Sequence, residues 1–461
     1  MNSGDFTFLR YHNLPSLEGL NLKEVKIIEG KDNYFSSDEI PPYAFEESKL
    51  MHIVLPDKLK GIREKAFFNC KYLVGSLVIP EGVESISEKA FFGCSGFDGT
   101  LTLPSTLKWI GPSAFDACSH FTGSLNLPDA LEHIYDMAFV NCAGFSGRLV
   151  LPSSLKTISY AAFSDCSGLT GSLTIPQNLT EIGERAFNNC SFDGTLSLPN
   201  GITIIGSYAF ARCAFKGELI LPSNIKVIES GAFSGNQFSG TLHLPSSLSI
   251  LGGGAFSDNM QLTGTLEIPD KLTSIKEGAF NGCSKIEGLV LPANLETIYS
   301  NAFKNCFGIG SIVCKGAEPA YVKSGAFDGV PKDNFTVEVP ESAVAQYQTA
   351  VGWNEFKRIA AHHELVCRPS IACALATEHK QRLIVDAEGE WEVASKPDWC
   401  EVSPASGNKK TEVTLTINAM AKNGTSREGK VVFRLKDEDY THECRVSQYG
   451  YEYGEDQWLT L

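Results

Sequence analysis

The cysteines are the side chains of this sequence best suited to chemistry, whether as thiolate nucleophiles, metal ligands or disulfide partners, and there are fourteen of them. Nine, Cys70, Cys94, Cys118, Cys142, Cys166, Cys190, Cys213, Cys283 and Cys306, occupy one fixed position of a repeating unit, and two other units carry Asn236 and Asn259 there. A slot that accepts Cys or Asn predicts a small buried side chain hydrogen-bonded to turn backbone. Metal binding would need CxxC pairs or clustered histidines, and the sequence has neither. His363-Glu364 opens like a zinc-protease helix motif, but Cys367 stands where the second histidine belongs. Nucleophile elbows, phosphate-cradling glycine loops and a cysteine paired with a catalytic histidine are also missing, so neither catalysis nor a cofactor is expected.

What positions these residues is a repeat. A proline following an apolar pair recurs at Pro56, Pro80, Pro104, Pro128, Pro152, Pro176, Pro199, Pro222, Pro245, Pro269 and Pro292, at intervals of 23 or 24. The second members of Ala-Phe pairs keep the same beat in thirteen units, from Phe45, Phe67 and Phe91 to Phe303 and Phe327. Within a unit such as 94–115, Leu101 and Leu103 alternate with Thr100 and Thr102, which predicts a short strand ended by Pro104; a second extended segment leads to Ile110. Stacked units then pair equivalent strands about 4.8 Å apart into a parallel sheet over a continuous core. Gly75, Gly99, Gly123, Gly147 and Gly171, just before the strand, fit a turn that needs positive φ or close approach of coils.

These landmarks, Leu-Pro, Leu-x-x-Ile and Ala-Phe-x-x-Cys in phase over residues 20 to 360, resemble the BspA-like leucine-rich repeats of bacterial surface proteins. The resemblance implies a leucine-rich-repeat solenoid of 23–24-residue repeats, export to the extracellular space or cell surface, and an adhesin-like role. Both ends of such a stack need caps. Residues 1–45 are expected to supply the N-terminal cap and a degenerate first repeat, 46–330 the solenoid, and 331–362 a C-terminal cap with an amphipathic helix on which Val344, Tyr347 and Val351 share a face.

After a linker expected at 363–379 the beat gives way to short alternating strands at Arg382–Val385, Glu390–Val393, Glu412–Ile417, Lys430–Phe433 and Glu443–Val446, an all-β immunoglobulin-like sandwich over 380–450 followed by a tail, 451–461. Breaks fall at Ser403-Pro404 to Asn408 and at Asn423-Gly424. The run from Trp391 through Pro397-Asp398-Trp399 and Ser403-Pro404 to Gly407, closing on Val446-Ser447-Gln448, resembles the BACON domain, which implies carbohydrate or mucin binding as a class of function. Cys400 departs from that pattern. Cys400 with Cys444, and Cys367 with Cys373, are pairings open to an exported protein.

A net charge of −15, from 39 Lys plus Arg against 54 Asp plus Glu, disfavours nucleic acid and anionic membrane surfaces. No run of 18 apolar residues is present to span a bilayer, and MNSGDFTFLRYHN shows neither a basic segment nor an apolar core of a secretory signal. The partner expected is therefore an extracellular protein or a glycan. The candidate surface is the outward strand face, with Thr100, Thr102, Asn126, Arg148, Thr174, Glu218, His243 and Glu267 among its positions. This stripe is rich in Ser and Thr and nearly free of rings, which favours a broad protein contact over a sugar site, although threonine is also simply a good strand former. On the sandwich, Trp391 and Trp399 are either sugar-stacking platforms or core. Trp109, Tyr135, Tyr160, Tyr208 and Tyr299 sit at differing offsets between Ile and Ala-Phe and read as individual surface rings.

Overall fold

The computed structural model describes residues 1–2, 5–6, 8–9, 17–28, 37–362, 365–368, 371–374, 377–387, 389–420, 426–436 and 441–448. The chain divides into two compact units, 1–360 and 361–461, each with its own apolar core.

The first unit is a parallel-sheet solenoid. One ladder runs through the second extended segment of each coil: Glu39–Ile40, Gly61–Ile62, Ser85–Ile86, Trp109–Ile110, His133–Ile134 and Thr157–Ile158 pair in parallel as a six-stranded sheet. The Leu-x-Leu strands form the other, in two-residue pieces such as Leu77–Val78 beside Leu101–Thr102, and more continuously at Thr265–Glu267, Gly288–Leu291 and Ser311–Cys314. Tight turns carrying Ala-Phe close each coil and are stitched to the next coil by backbone bonds such as Phe91 N–H to Ala114 carbonyl, 2.8 Å.

The core of this unit is a file of stacked rings. From Phe45 to Phe327 all thirteen Ala-Phe rings stack on their neighbours, with centroids 4.9 to 5.7 Å apart and planes within 16° of parallel. The strand spacing of a parallel sheet dictates this: a ring repeated once per coil must lie about 5 Å from its copy. Phe6 meets Phe45 edge-on at 5.8 Å at one end, and Trp353 meets Phe327 at 5.7 Å at the other. The helix beside Trp353 is short, Val344–Thr349, with Ala350 already extended. Tyr347 faces the core as expected, whereas Val351 lies beyond the helix and is 71% exposed.

The pre-strand glycines use both mechanisms expected of them. Gly171 sits at φ +78°, while a Cβ on Gly99 would lie 2.4 Å from Ser76 Oγ and 2.6 Å from the Ser76 backbone nitrogen.

The second unit is a small β-sandwich. One sheet orders Leu365–Arg368, His379–Ala387, Thr411–Ile417 and Cys400–Ser403; the other orders Ile371–Ala374, Thr441–Gln448, Arg427–Leu435, Glu390–Ser395 and Ser406–Asn408. All five expected strands are present and longer than read. The segment expected to be a linker, 363–379, instead supplies two strands, because Leu365 and Cys367, and then Ala372 and Ala374, alternate into the core. Ser406–Asn408, read as part of a break, pairs with Glu390–Glu392. Asn423-Gly424, His363 and Glu364 lie outside the described residues, as does the tail.

Candidate functional site

The repeated cysteine slot is structural. Each of the nine thiols donates to the carbonyl of the Ala-Phe phenylalanine one coil earlier, at 2.8 to 3.2 Å: Cys94 to Phe67, Cys118 to Phe91, Cys166 to Phe139 and so on. Asn236 and Asn259 make the same bond through Nδ2, to Phe210 at 2.8 Å and Phe233 at 2.9 Å. The slot thus supplies a compact second donor to a turn carbonyl that already accepts a backbone N–H from its own coil, as the Phe91 carbonyl does from Cys94 at 3.1 Å. Burial pushes the thiols of Cys94, Cys118, Cys142, Cys166, Cys190, Cys213, Cys283 and Cys306 up, Cys166, Cys213 and Cys306 to about 12, so these are held as neutral donors rather than as thiolates.

On the Leu-x-Leu strands, Thr100, Thr102, Asn126, Arg148, Thr174, Glu218, His243 and Glu267 are all exposed, while Leu101, Leu149, Leu173, Leu219, Leu242 and Leu266 between them are buried. Some of the hydroxyls are tied between coils: Ser76 Oγ accepts from Thr100 N–H at 3.0 Å and from its hydroxyl at 3.2 Å, and Thr195 repeats the arrangement on Ser172. Glu267 pairs with Lys315 two coils on, at 2.9 Å. Among these polar positions stand Val78, Val150 and Ile220, 59%, 65% and 72% exposed at one equivalent repeat position.

In the sandwich, Trp391 is fully buried, edge-on to Phe433 at 5.6 Å, so it belongs to the core and is no sugar platform. Trp399 is half-buried, with the Arg427 guanidinium 4.5 Å from its ring centre. Cys400 and Cys444 are buried and form no disulfide with each other. Cys444 instead shares a hydrogen bond with Cys367 from the opposite sheet, and the Cys373 side chain lies outside what is described. Among the described residues no group of three or more His, Cys, Asp or Glu is arranged to hold a metal ion.

Reading the rings one at a time missed a cluster on the second ladder, where Trp109 and His133 occupy the same repeat position in adjacent strands and Tyr135 lies two residues beyond His133. The signal was available: 24 residues separate Trp109 from His133, and period two puts Tyr135 on the same face as His133.

The family model described as a BspA type leucine rich repeat region matches residues 38–170, 145–263 and 203–332, more than half of the sequence. The chain belongs to the BspA-type leucine-rich-repeat family. A BACON model, described as a putative binding domain, matches residues 389–448 of this BspA-type chain. Among solved structures, a leucine-rich repeat protein from Bacteroides ovatus is 25% identical with a TM-score of 0.55, over 76% of this chain and 93% of that one. A leucine rich cell surface protein from Faecalibacterium prausnitzii is 23% identical with a TM-score of 0.41, over 66% and 84%. Comparison with curated proteins returns no match.

Repeat and BACON families of this kind are typical of bacterial surface or secreted proteins and are generally non-catalytic, and together they indicate a surface-interaction or binding role. Among the described residues no helix is long and apolar enough to cross a membrane.

Proposed function

We propose that this is a non-catalytic, adhesin-like cell-surface protein that binds proteins of a host or of neighbouring cells through the outward face of its Leu-x-Leu strands. The observation that carries the reading is the row of Val78, Val150 and Ile220, three exposed aliphatic side chains at one repeat position. They lie three coils apart, hence roughly 14 Å from one to the next at the strand spacing. Buried leucines hold the backbone under them rigid, so an extended protein surface meets them with little loss of conformational entropy. Around them, Thr102, Asn126, Arg148, Thr174, Glu218 and, one coil beyond Ile220, His243 supply polar contacts of the kind that ring an apolar anchor.

The rival reading is carbohydrate or mucin capture through the sandwich. It keeps only Trp399 of its two rings, and Arg427 lies over that one. Surface plasmon resonance of the full chain over immobilised collagen, laminin and fibronectin tests the proposal. Val150→Glu with Ile220→Glu should weaken a retained protein at least tenfold, because each charge must be desolvated at an apolar contact. Retention by a mucin instead, unchanged in that variant and lost in Trp399→Ala, would replace this reading with the rival.

A further inference from the structure

We infer that Trp109, His133 and Tyr135 form a binding site for a neutral polysaccharide on the second strand ladder, a face distinct from the Leu-x-Leu stripe. The rings touch one another. Tyr135 stacks on His133 with centroids 5.7 Å apart and planes 16° from parallel, and meets Trp109 at 6.4 Å and 79°. Two aromatic planes therefore stand at right angles, a corner in which one presents its face while the other offers an edge.

The arrangement is fixed from several sides. Trp109 and His133 are register partners in adjacent parallel strands, and the next partner, Thr157, shares a 2.9 Å hydrogen bond between its hydroxyl and His133 Nδ1. The counterpart of Tyr135 one coil earlier is Gly111, so no side chain stands between the Tyr135 ring and Trp109. One coil to either side of the rings the same two rows carry small residues: Ser85 and Ser87 before, Thr157 and Ser159 after. Trp109 and His133 are half-buried and Tyr135 is exposed, so the cluster is open to solvent with small residues on its immediate flanks.

Polar groups frame it. The Glu132 carboxylate lies 3.8 Å from His133 Nε2 and is paired with Lys156, and Lys108 is paired with Glu84 at 2.7 Å. Two ammonium groups stand against two carboxylates, and exposed Asp136 beside Tyr135 adds a third negative group, which disfavours sulfated or uronic polymers. A pyranose ring has an apolar C–H face that suits an aromatic plane and a rim of hydroxyls that needs both donors and acceptors close by. The exposed aliphatic row of Val78, Val150 and Ile220 is on the other ladder, and exposed Ile250 on this one lies several coils beyond the rings. Along the two rows beside the rings the neighbours are Ser, Thr and Gly.

Affinity electrophoresis of the full chain through gels containing a β-glucan, a galactomannan, an arabinogalactan or chondroitin sulfate tests the inference. At least one neutral polymer should retard the protein, Trp109→Ala and Tyr135→Ala should each raise the dissociation constant at least tenfold, and Tyr321→Ala, an exposed ring elsewhere on the solenoid, should behave as the parent. Circular dichroism checks the fold. Trp109→Phe, which keeps a ring, should retain part of the retardation if the alanine variant unfolds. Three outcomes would overturn the inference: no retardation by any neutral polymer, retardation by chondroitin sulfate alone, or retardation that survives Trp109→Ala and is lost in Trp399→Ala.

Discussion

Replacing Phe163 with alanine removes one ring from the middle of the stacked file, between Phe139 and Phe187, each 5.4 Å away. Phe163 is fully buried, and truncating a buried phenylalanine typically costs about 3 to 5 kcal/mol, as lost transfer free energy plus the cavity left behind. The cost depends on how far the surroundings collapse. Here both neighbours are held by the next rings outward, Phe115 and Phe210, and by backbone bonds such as Phe163 N–H to the Ala186 carbonyl, so little collapse is available. The upper half of the range, about 4 to 5 kcal/mol, is therefore expected. Urea unfolding of the full chain followed by circular dichroism measures it, with the sandwich, a separate core, as internal reference. A repeat array depends on nearest-neighbour contacts, so the damaged coils should also melt first and broaden the solenoid transition. A loss below about 1 kcal/mol would refute the stacked-ring core.

Three further outcomes follow from the same contacts. Cys118→Asn should be nearly neutral and Cys118→Ala should cost about 0.5 to 1.5 kcal/mol in urea unfolding, because alanine removes one of the two donors of the Phe91 carbonyl and leaves it the Cys94 N–H alone. Folding keeps Cys166, Cys213 and Cys306 neutral up to about 12, against about 8.5 in an unfolded chain, so their contribution is complete below about pH 8.5 and is lost as pH rises towards 12. Each should withdraw up to about 1.4 kcal/mol per pH unit, and a solenoid urea midpoint that stayed flat from pH 8 to 10.5 would contradict this. Gly168→Ala should destabilise more than Gly171→Ala: at Gly168 the new Cβ would lie 2.0 Å from the Phe145 carbonyl oxygen, whereas Gly171 meets only backbone strain at φ +78°, worth about 1 kcal/mol. Paired unfolding curves decide the order.

The solenoid was legible because its determinants are local and repeated. Ala-Phe, Leu-Pro and the Cys/Asn slot recur at one spacing, and stacking turns that spacing into a ring file and a donor ladder without further information. Boundaries were less legible. Leu365 to Ala374 carry small residues and cysteines whose alternation means strand only once a second sheet lies opposite, and the register that pairs Ile371–Ala374 with Arg445–Gln448 joins residues far apart in sequence. Trp391 shows the same limit: a tryptophan reads alike as platform or core until Phe433 is placed beside it. The corner of Trp109, His133 and Tyr135 was hidden because comparing offsets within a unit ignores diagonal neighbours between coils.

Hydroxyl-radical footprinting of the full chain, free and bound to whichever matrix protein retains it, tests the central claim most directly, since it reads side-chain exposure residue by residue. Binding through the outward stripe predicts protection of Val78, Val150, Ile220 and His243, with Tyr321 and Val351 unchanged. Protection confined to residues 389–448, with the stripe oxidised as in the free protein, would contradict it.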